Sequence, residues 1–215
     1  MKRLTLLLAT AALAAPLNLA SAADIDVAPY DWSGFYSGVH VGQISADGNY
    51  HYDDVVDLSF DFKAKNLSFG TLGGYNFQSG DNWVFGIEND STFTSLNEKF
   101  PPTEASFKVK MEGSLRARVG FAHDRFLPFL TAGIGIANGK TSDTSAGSDK
   151  NIHLGFVAGA GLEYALTDHF RIRGEYLYRN FGKESYDMVS PFIGPVTDVV
   201  KWDEHVARAA FIYAW

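Results

Sequence analysis

Residues 107 to 121 alternate between two kinds of side chain. The odd positions are apolar or glycine: Phe107, Val109, Met111, Gly113, Leu115, Ala117, Val119 and Phe121. The even positions are mostly charged: Lys108, Lys110, Glu112, Ser114, Arg116, Arg118 and Gly120. Because successive side chains of a strand point to opposite faces, this segment predicts a strand with one apolar face and one charged face.

Alternation of this kind recurs in eight segments. We place them at 32–44, 66–78, 83–93, 107–121, 127–138, 151–164, 170–181 and 202–215. Short connections (79–82, 122–125, 165–169) alternate with long ones (45–65, 94–106, 139–150, 182–201). An even number of antiparallel strands brings both termini and all short turns to one end, as in outer-membrane barrels with periplasmic turns and extracellular loops.

The first 22 residues have the features of a secretory signal peptide. Lys2 and Arg3 precede an apolar stretch, and Ala20-Ser21-Ala22 has the small-x-small pattern of a cleavage site. We therefore predict a signal peptide at 1–22, cleaved after Ala22 or Ala23, a periplasmic leader at 23–31 and a barrel domain at 32–215. A short membrane anchor is the alternative for the first segment.

Alternation alone does not decide which face of the sheet points inward. A water-soluble barrel would keep its apolar face inside, whereas a membrane barrel turns that face toward lipid. The export signal, the aromatic ends of the apolar faces and segments of at least the ~9–11 residues that span a bilayer favour the membrane. The predicted fold is all-β: an eight-stranded, antiparallel, up-and-down transmembrane β-barrel in the outer membrane.

The charged faces would then line the lumen, where buried charges must pair. The predicted network consists of Glu88, Asp90, Glu112, Glu175, Arg116, Arg118, Arg171, Arg173 and Arg208. Lys108, Lys110, Glu163 and Arg179 are predicted on the same inward faces. An eight-stranded barrel is just wide enough for side chains to fill, so the network predicts a plug. A narrow pore is the alternative.

Other candidate residues form weaker patterns. The first long connection contains Asp47, Asp53, Asp54, Asp57 and Asp61, which could bind calcium, although their spacing matches no EF-hand. An enzyme that modifies lipid could use Ser190, His205 and Asp203, although no motif supports this set. We predict no catalytic residue, no metal and no cofactor. The net charge of −7 argues against nucleic acid as a partner.

Both ends of the barrel domain resemble a known family. The segment from Asp31 to Gly42 (DWSGFYSGVHVG) is similar to the first strand of small porin-family outer-membrane proteins of alphaproteobacteria, which include major surface and hemin-binding proteins. The segment from Arg208 to Trp215 resembles their last strand, with Trp215 where Phe is usual. The resemblance implies that Phe211, Tyr213 and Trp215 are recognised by the barrel-assembly machinery.

The resemblance also bears on ligands and on function. It suggests hemin as a ligand of His51 or His205, with Tyr50 or Tyr52, or a host ligand at the loops. The predicted function is structural and interactive: envelope integrity and surface contacts, with outer-membrane lipid and lipopolysaccharide as partners. The alternatives are a small porin or hemin-binding surface protein, and a lipid-modifying enzyme.

Overall fold

The computed structural model describes residues 29–52, 58–80, 82–100, 105–143, 147–190 and 194–215. The described residues form eight strands in a closed barrel, each strand antiparallel to its neighbours in the chain and β1 paired with β8. The strands are β1 (Gly34–Tyr52), β2 (Leu58–Gln78), β3 (Trp83–Lys99), β4 (Ser106–Phe121), β5 (Phe126–Asp143), β6 (Gly147–Ala165), β7 (Phe170–Ser190) and β8 (Gly194–Ala214). The predicted fold class is confirmed. The predicted signal peptide and residues 23–28 lie outside the described residues.

The strands are longer than predicted at one end only. At the end with the termini, strand and turn positions agree with the prediction to within two residues. At the other end the predicted long connections 45–65, 94–106, 139–150 and 182–201 are largely strand, so those boundaries are wrong. The paired strands continue past the apolar faces, which the loop prediction missed. We call this extension, at the end away from the termini, the upper part of the barrel and the rest the lower part.

Large apolar side chains project outward around the lower part of the barrel, as predicted. The exposed ones include Val39, Leu67, Phe85, Leu115, Leu130, Ile134, Leu154, Phe156, Ile172 and Phe211. The neighbouring inward positions are buried; Leu115 is 55% exposed whereas Arg116 is 1% exposed. We call this outward surface the apolar belt. Among the described residues, no helix is long and apolar enough to cross a membrane.

The alternation changes phase in two strands, where one extra residue bulges out of the pairing. The register of β4 against β5 shifts between Val109 and Glu112, and that of β7 against β8 shifts between Phe181 and Glu184. Such a bulge moves the following side chains to the opposite face. Phe107 and Val109, predicted outward, are therefore fully buried. Lys108 and Lys110, predicted in the lumen, are on the outer surface.

The interior of the upper part is apolar and rich in aromatic rings. We call this group the upper core: Ala46, Tyr50, Phe62, Ala64, Leu96, Phe100, Ala105, Phe107, Val109, Ala137, Phe181, Tyr186, Val200 and Trp202. Trp202 is central to it, with ring centroids 5.0 Å from Phe107 and 4.8 Å from Phe181. The upper part thus has the internal packing of a water-soluble protein.

Candidate functional site

Six arginines and six carboxylates fill the lumen behind the apolar belt, and all are buried. They are Arg116, Arg118, Arg171, Arg173, Arg179, Arg208, Glu88, Asp90, Glu112, Glu163, Glu175 and Glu204. They occupy alternate positions of β3, β4, β6, β7 and β8, which is why all of them point inward. All nine residues of the predicted network are among them, and the opposite charges are balanced in number.

Arg116 is the centre of the largest group of ion pairs. Its Nη2 lies 2.5 Å from Glu88 Oε1 and 3.2 Å from Asp90 Oδ1, while its Nη1 lies 2.9 Å from Glu175 Oε1. Arg208 completes this group, with Nη2 2.7 Å from Glu175 Oε2 and Nη1 3.3 Å from Asp90 Oδ2. One guanidinium thus connects strands on opposite sides of the barrel.

Gly42 leaves space for this group at the closure of the barrel. Gly42 of β1 is paired with Arg208 of β8. A Cβ atom at position 42 would lie 2.6 Å from Arg208 Cβ, well inside van der Waals contact. The same Cβ atom would lie 2.5 Å from the backbone oxygen of Ala207, so a larger residue would push the β8 backbone, and Arg208 with it, away from β1.

A second group surrounds Glu163, nearer to the end of the barrel that carries the termini. Arg118 Nη2 lies 3.1 Å from Glu163 Oε2, and Arg173 Nη2 lies 2.7 Å from Glu163 Oε1. Arg173 also reaches Glu88, with Nη1 2.6 Å from Oε2, which joins the second group to the first. The Tyr36 hydroxyl donates a hydrogen bond of 2.7 Å to Glu88 Oε2.

A third group lies toward the upper core and centres on Arg179. Its Nη1 lies 2.5 Å from Glu112 Oε2 and 3.7 Å from Glu204 Oε2, and its Nη2 lies 3.4 Å from Asp90 Oδ2. The sequence prediction placed Arg179 on the inward face without a role and missed Glu204. Glu204 is an even-numbered position of β8, like Arg208, so strand alternation predicts that both side chains face inward.

Arg171 differs from the predicted arrangement, because its partners are aromatic. Its Nε donates a 2.8 Å hydrogen bond to the Tyr30 hydroxyl, and its guanidinium lies 4.7 Å from the Trp32 ring. No ion pair with Arg171 is found within the described ranges. Arg171 is buried in the lumen as predicted, and the chain before β1 supplies its hydrogen-bond and ring contacts.

The segment before β1 closes the lumen at the end of the barrel that carries the termini. Trp32 is fully buried, and its Nε1 donates a 3.0 Å hydrogen bond to the backbone oxygen of Asp124. The Tyr30 hydroxyl lies 3.2 Å from the backbone oxygen of Asp168. Both acceptors are in the short connections between strands at that end. We call Tyr30 and Trp32 the N-terminal plug, a feature that the prediction of a leader at 23–31 did not include.

The upper core closes the other end. His153 packs against Trp202 with ring centroids 4.4 Å apart. Its Nε2 shares a 2.6 Å hydrogen bond with the Tyr186 hydroxyl, and burial raises the pKa of that phenol. Tyr50 donates a hydrogen bond to buried Asp198. The lumen therefore contains three successive layers: the N-terminal plug, the charge network and the upper core.

The candidate hemin ligands are separated in the fold. His51 and Tyr50 are neighbours on β1, but Tyr50 is buried in the upper core while His51 contacts the Ser59 hydroxyl. His205 pairs with Ser45, six residues from His51, which is about 20 Å along the strand. The side chain of Tyr52 lies outside the described residues. Among the described side chains, the fold therefore brings no pair of these candidates together.

The candidate catalytic residues are also apart. His205 Nδ1 lies 2.6 Å from the Tyr176 hydroxyl, while Asp203 accepts a hydrogen bond from the Tyr178 hydroxyl at 3.0 Å. Asp203 is paired with Asn180, ten residues from Ser190 along β7, or about 30 Å. This set lacks the mutual contact that nucleophilic catalysis requires.

The candidate calcium ligands are only partly within the described ranges. Asp53, Asp54 and Asp57 lie outside them. Asp47 is 2.9 Å from Lys63 Nζ, and Asp61 accepts a 3.0 Å hydrogen bond from Asn49. Among the described residues, no group of three potential ligands is placed to hold a metal ion.

The aromatic residues predicted as an assembly signal form one outward row at the end of the chain. Phe211, Tyr213 and Trp215 are exposed, with the rings of Tyr213 and Trp215 5.2 Å apart. The Trp215 amide donates a 3.1 Å hydrogen bond to the backbone oxygen of Phe35, which fixes the row beside the start of β1.

Comparison with known proteins agrees with this architecture. The model of the family described as outer membrane protein beta-barrel domain matches residues 5–193. The 25 kDa outer-membrane immunogenic protein of Brucella abortus biovar 1 (strain 9-941) is 35% identical over 173 residues, covering 77% of this chain and 74% of that protein. The 22 kDa outer membrane protein of Rhizobium leguminosarum bv. viciae is 32% identical over 161 residues, with coverage of 74% and 69%.

A solved structure shows the same fold at low sequence identity. The outer membrane protein OprG from Pseudomonas aeruginosa superimposes with a TM-score of 0.55 at 12% identity, covering 85% of this chain and 97% of that chain. The barrel topology, the apolar belt and the family match agree with one another. The chain belongs to the outer-membrane β-barrel family and is a relative of the alphaproteobacterial outer-membrane proteins.

Proposed function

We propose that the protein is a closed outer-membrane barrel whose function is structural and interactive: it supports envelope integrity and presents its upper end at the cell surface. The observation that carries this proposal is the filled lumen. Arg116 contacts acids from two sides of the barrel, and buried groups lie above and below it. Opening a path for ions would separate buried charge pairs, each of which is costly to break.

The outer surface of the upper part supports a role in surface contacts. Its strands rise above the apolar belt, and polar side chains such as Asp47, Lys63 and Lys150 cover them. The Brucella relatives are named outer-membrane immunogenic proteins, which fits a surface that is accessible from outside the cell. Partners in this proposal are outer-membrane lipid, lipopolysaccharide and the barrel-assembly machinery.

Conductance in a planar bilayer tests the closed lumen. We expect the refolded protein to give no steady ohmic current, whereas a general porin in the same bilayer gives one. A Trp32→Ala variant should also give no steady current, because the charge network and the upper core still fill the lumen. A steady current from the unmodified protein would contradict the closed barrel and favour the porin alternative.

Labelling of single cysteines tests the orientation. The sequence contains no cysteine, so each introduced thiol is unique. On intact cells a membrane-impermeant maleimide should label Ser148→Cys at the upper end but not Gly80→Cys in the first periplasmic turn; both positions are exposed. The reverse pattern would invert the proposed orientation. Equal labelling after lysis is the control for thiol reactivity.

A further inference from the structure

Three lysines stand side by side on the outer surface of the upper part. In the strand register, Lys108 of β4 is opposite Lys140 of β5, and Lys140 is opposite Lys150 of β6. Like charges directly opposite each other destabilise a sheet. An anion bound beside the row would compensate this repulsion.

The same row borders a pocket with a fourth lysine. Lys110, turned outward by the bulge of β4, joins the row at a pocket of about 480 Å³ whose other lining residues include Asn138 and Asn151. Ion pairs of the described residues lie in the lumen, beside β1 and at a periplasmic turn, and none of those involves these four lysines. We call Lys108, Lys110, Lys140 and Lys150 the lysine row.

An apolar surface begins directly below the lysine row. Ile152 lines the same pocket, and with Ile136 and Leu154 it forms the upper edge of the apolar belt on β5 and β6. Ile152 is two residues from Lys150, on the same face of β6. A ligand that satisfies both surfaces has anionic groups above and hydrocarbon chains below.

We propose that the lysine row binds the phosphate groups of lipid A, whose acyl chains then lie on Ile136, Ile152 and Leu154. The upper end faces the outer leaflet in the proposed orientation, and phosphorylated glycolipid is the anionic lipid of that leaflet. Lysines at a membrane surface each contribute attraction to anionic headgroups. The inference rests on the orientation in the proposed function but not on the closed lumen.

The opposite side of the barrel supplies a matched control. Lys63, Lys65 and Lys201 also lie on the outer surface of the upper part, but acids accompany them there. Lys63 Nζ is 2.9 Å from Asp47, and Asp47 is itself opposite Asp203. Neutralising these three lysines removes the same charge from the molecule without touching the lysine row.

The test uses native mass spectrometry of the refolded full chain in detergent, with purified diphosphoryl lipid A as the probe. The triple variant Lys108→Gln, Lys140→Gln, Lys150→Gln should bind lipid A at least about tenfold more weakly than the unmodified protein. The control variant Lys63→Gln, Lys65→Gln, Lys201→Gln should stay within about twofold. Replacing Lys108, Lys140 and Lys150 by arginine should retain binding, because arginine also pairs with phosphate.

Two further probes identify the ligand. Dephosphorylated lipid A should bind more weakly than the diphosphoryl form, and inorganic pyrophosphate should bind more weakly still. Equal affinity for pyrophosphate and lipid A would show a free-phosphate site and overturn the lipid assignment. Unchanged binding by the glutamine variant, or equal loss in the control variant, would overturn the site itself.

A native-like mobility on unheated gels establishes that each variant is folded, and the arginine variant provides a second test if the glutamine variant misfolds. Loss of binding in the arginine variant would also count against the proposal. A negative result in the binding experiments would not affect the conclusion about the closed lumen. A current through the barrel would not affect the conclusion about the lysine row. The two proposals can therefore fail separately.

Discussion

The lower and upper parts of the barrel use the same strands with opposite polarity. In the lower part Leu115 faces outward and Arg116 is buried among carboxylates. In the upper part Phe107 is buried among aromatic rings and Lys108 faces outward. A single strand, β4, contains both arrangements, and its bulge separates them.

This difference shows that the surroundings decide which face of a strand is apolar. Hydrocarbon surrounds the lower part, so polar side chains gain partners only in the lumen. Water surrounds the upper part, so burial of rings in the lumen is favourable there. On β4 and β7 a bulge lies where the surroundings change, whereas β8 keeps one parity from Arg208 to Trp202 and changes only the kind of residue that faces inward.

Phe107→Ala tests the upper core. Removing a fully buried ring leaves a cavity, and we expect the free energy of unfolding to fall by about 3–5 kcal/mol. Urea unfolding in phospholipid vesicles measures the change. Lys108→Ala, at the next position but on the outer surface, should alter stability by less than about 0.5 kcal/mol. Equal effects at the two positions would contradict the phase change.

Arg116→Leu tests the charged lumen. The change leaves Glu88 and Glu175 without their shared partner, and breaking such buried pairs costs about 3–5 kcal/mol, less where water enters. The same unfolding measurement applies. Arg125→Leu is the control, since its pair with Asp168 is largely exposed and contributes about 0–1 kcal/mol. A neutral Arg116→Leu would mean that the carboxylates find other partners.

Leu115→Arg tests the lipid-facing surface. A cation on that face should destabilise the inserted barrel by about 2–4 kcal/mol if the position lies near the bilayer midplane. Asn97→Arg, an outward position of the upper part of β3, should be nearly neutral because water is available there. An equally mild effect at position 115 would place it outside the hydrocarbon and shift the boundary between the two parts.

Trp32→Phe tests the N-terminal plug and has the smallest expected effect. A phenyl ring replaces the indole, and the lost hydrogen bond to the Asp124 backbone oxygen should by itself cost about 1 kcal/mol. Trp215→Phe is the matched control because Trp215 is exposed. A larger loss at Trp215 than at Trp32 would indicate that the end of β8 contributes more to stability than the plug does.

The sequence predicted the lower part of the barrel well and the upper part poorly. Parity alone places Leu115 and Arg116 on the correct faces, because no bulge interrupts β4 between them and the short turn that follows Phe121. Phe107 and Lys108 are assigned to the wrong faces because the bulge adds a residue to β4, while apolar and charged residues still alternate in the sequence without a break. The upper strands resemble loops in sequence because their polar side chains face water.

The partners of Arg171 could not be predicted from the sequence, for a different reason. Parity predicts that this side chain points inward, but it does not say what lies there. Tyr30, its hydrogen-bond partner, is 141 residues away and outside any strand. Contacts of this kind depend on closure of the whole barrel, and neither spacing nor composition records them.

The contacts of Tyr30 and Trp32 have a consequence for the order of folding. The backbone oxygens of Asp124 and Asp168 are 92 and 138 residues later in the chain. The turns that contain these oxygens must exist before either side chain can reach its native position, and formation of such distant contacts is slow. The residues that open the described part of the chain are therefore synthesised early but acquire their native contacts among the last.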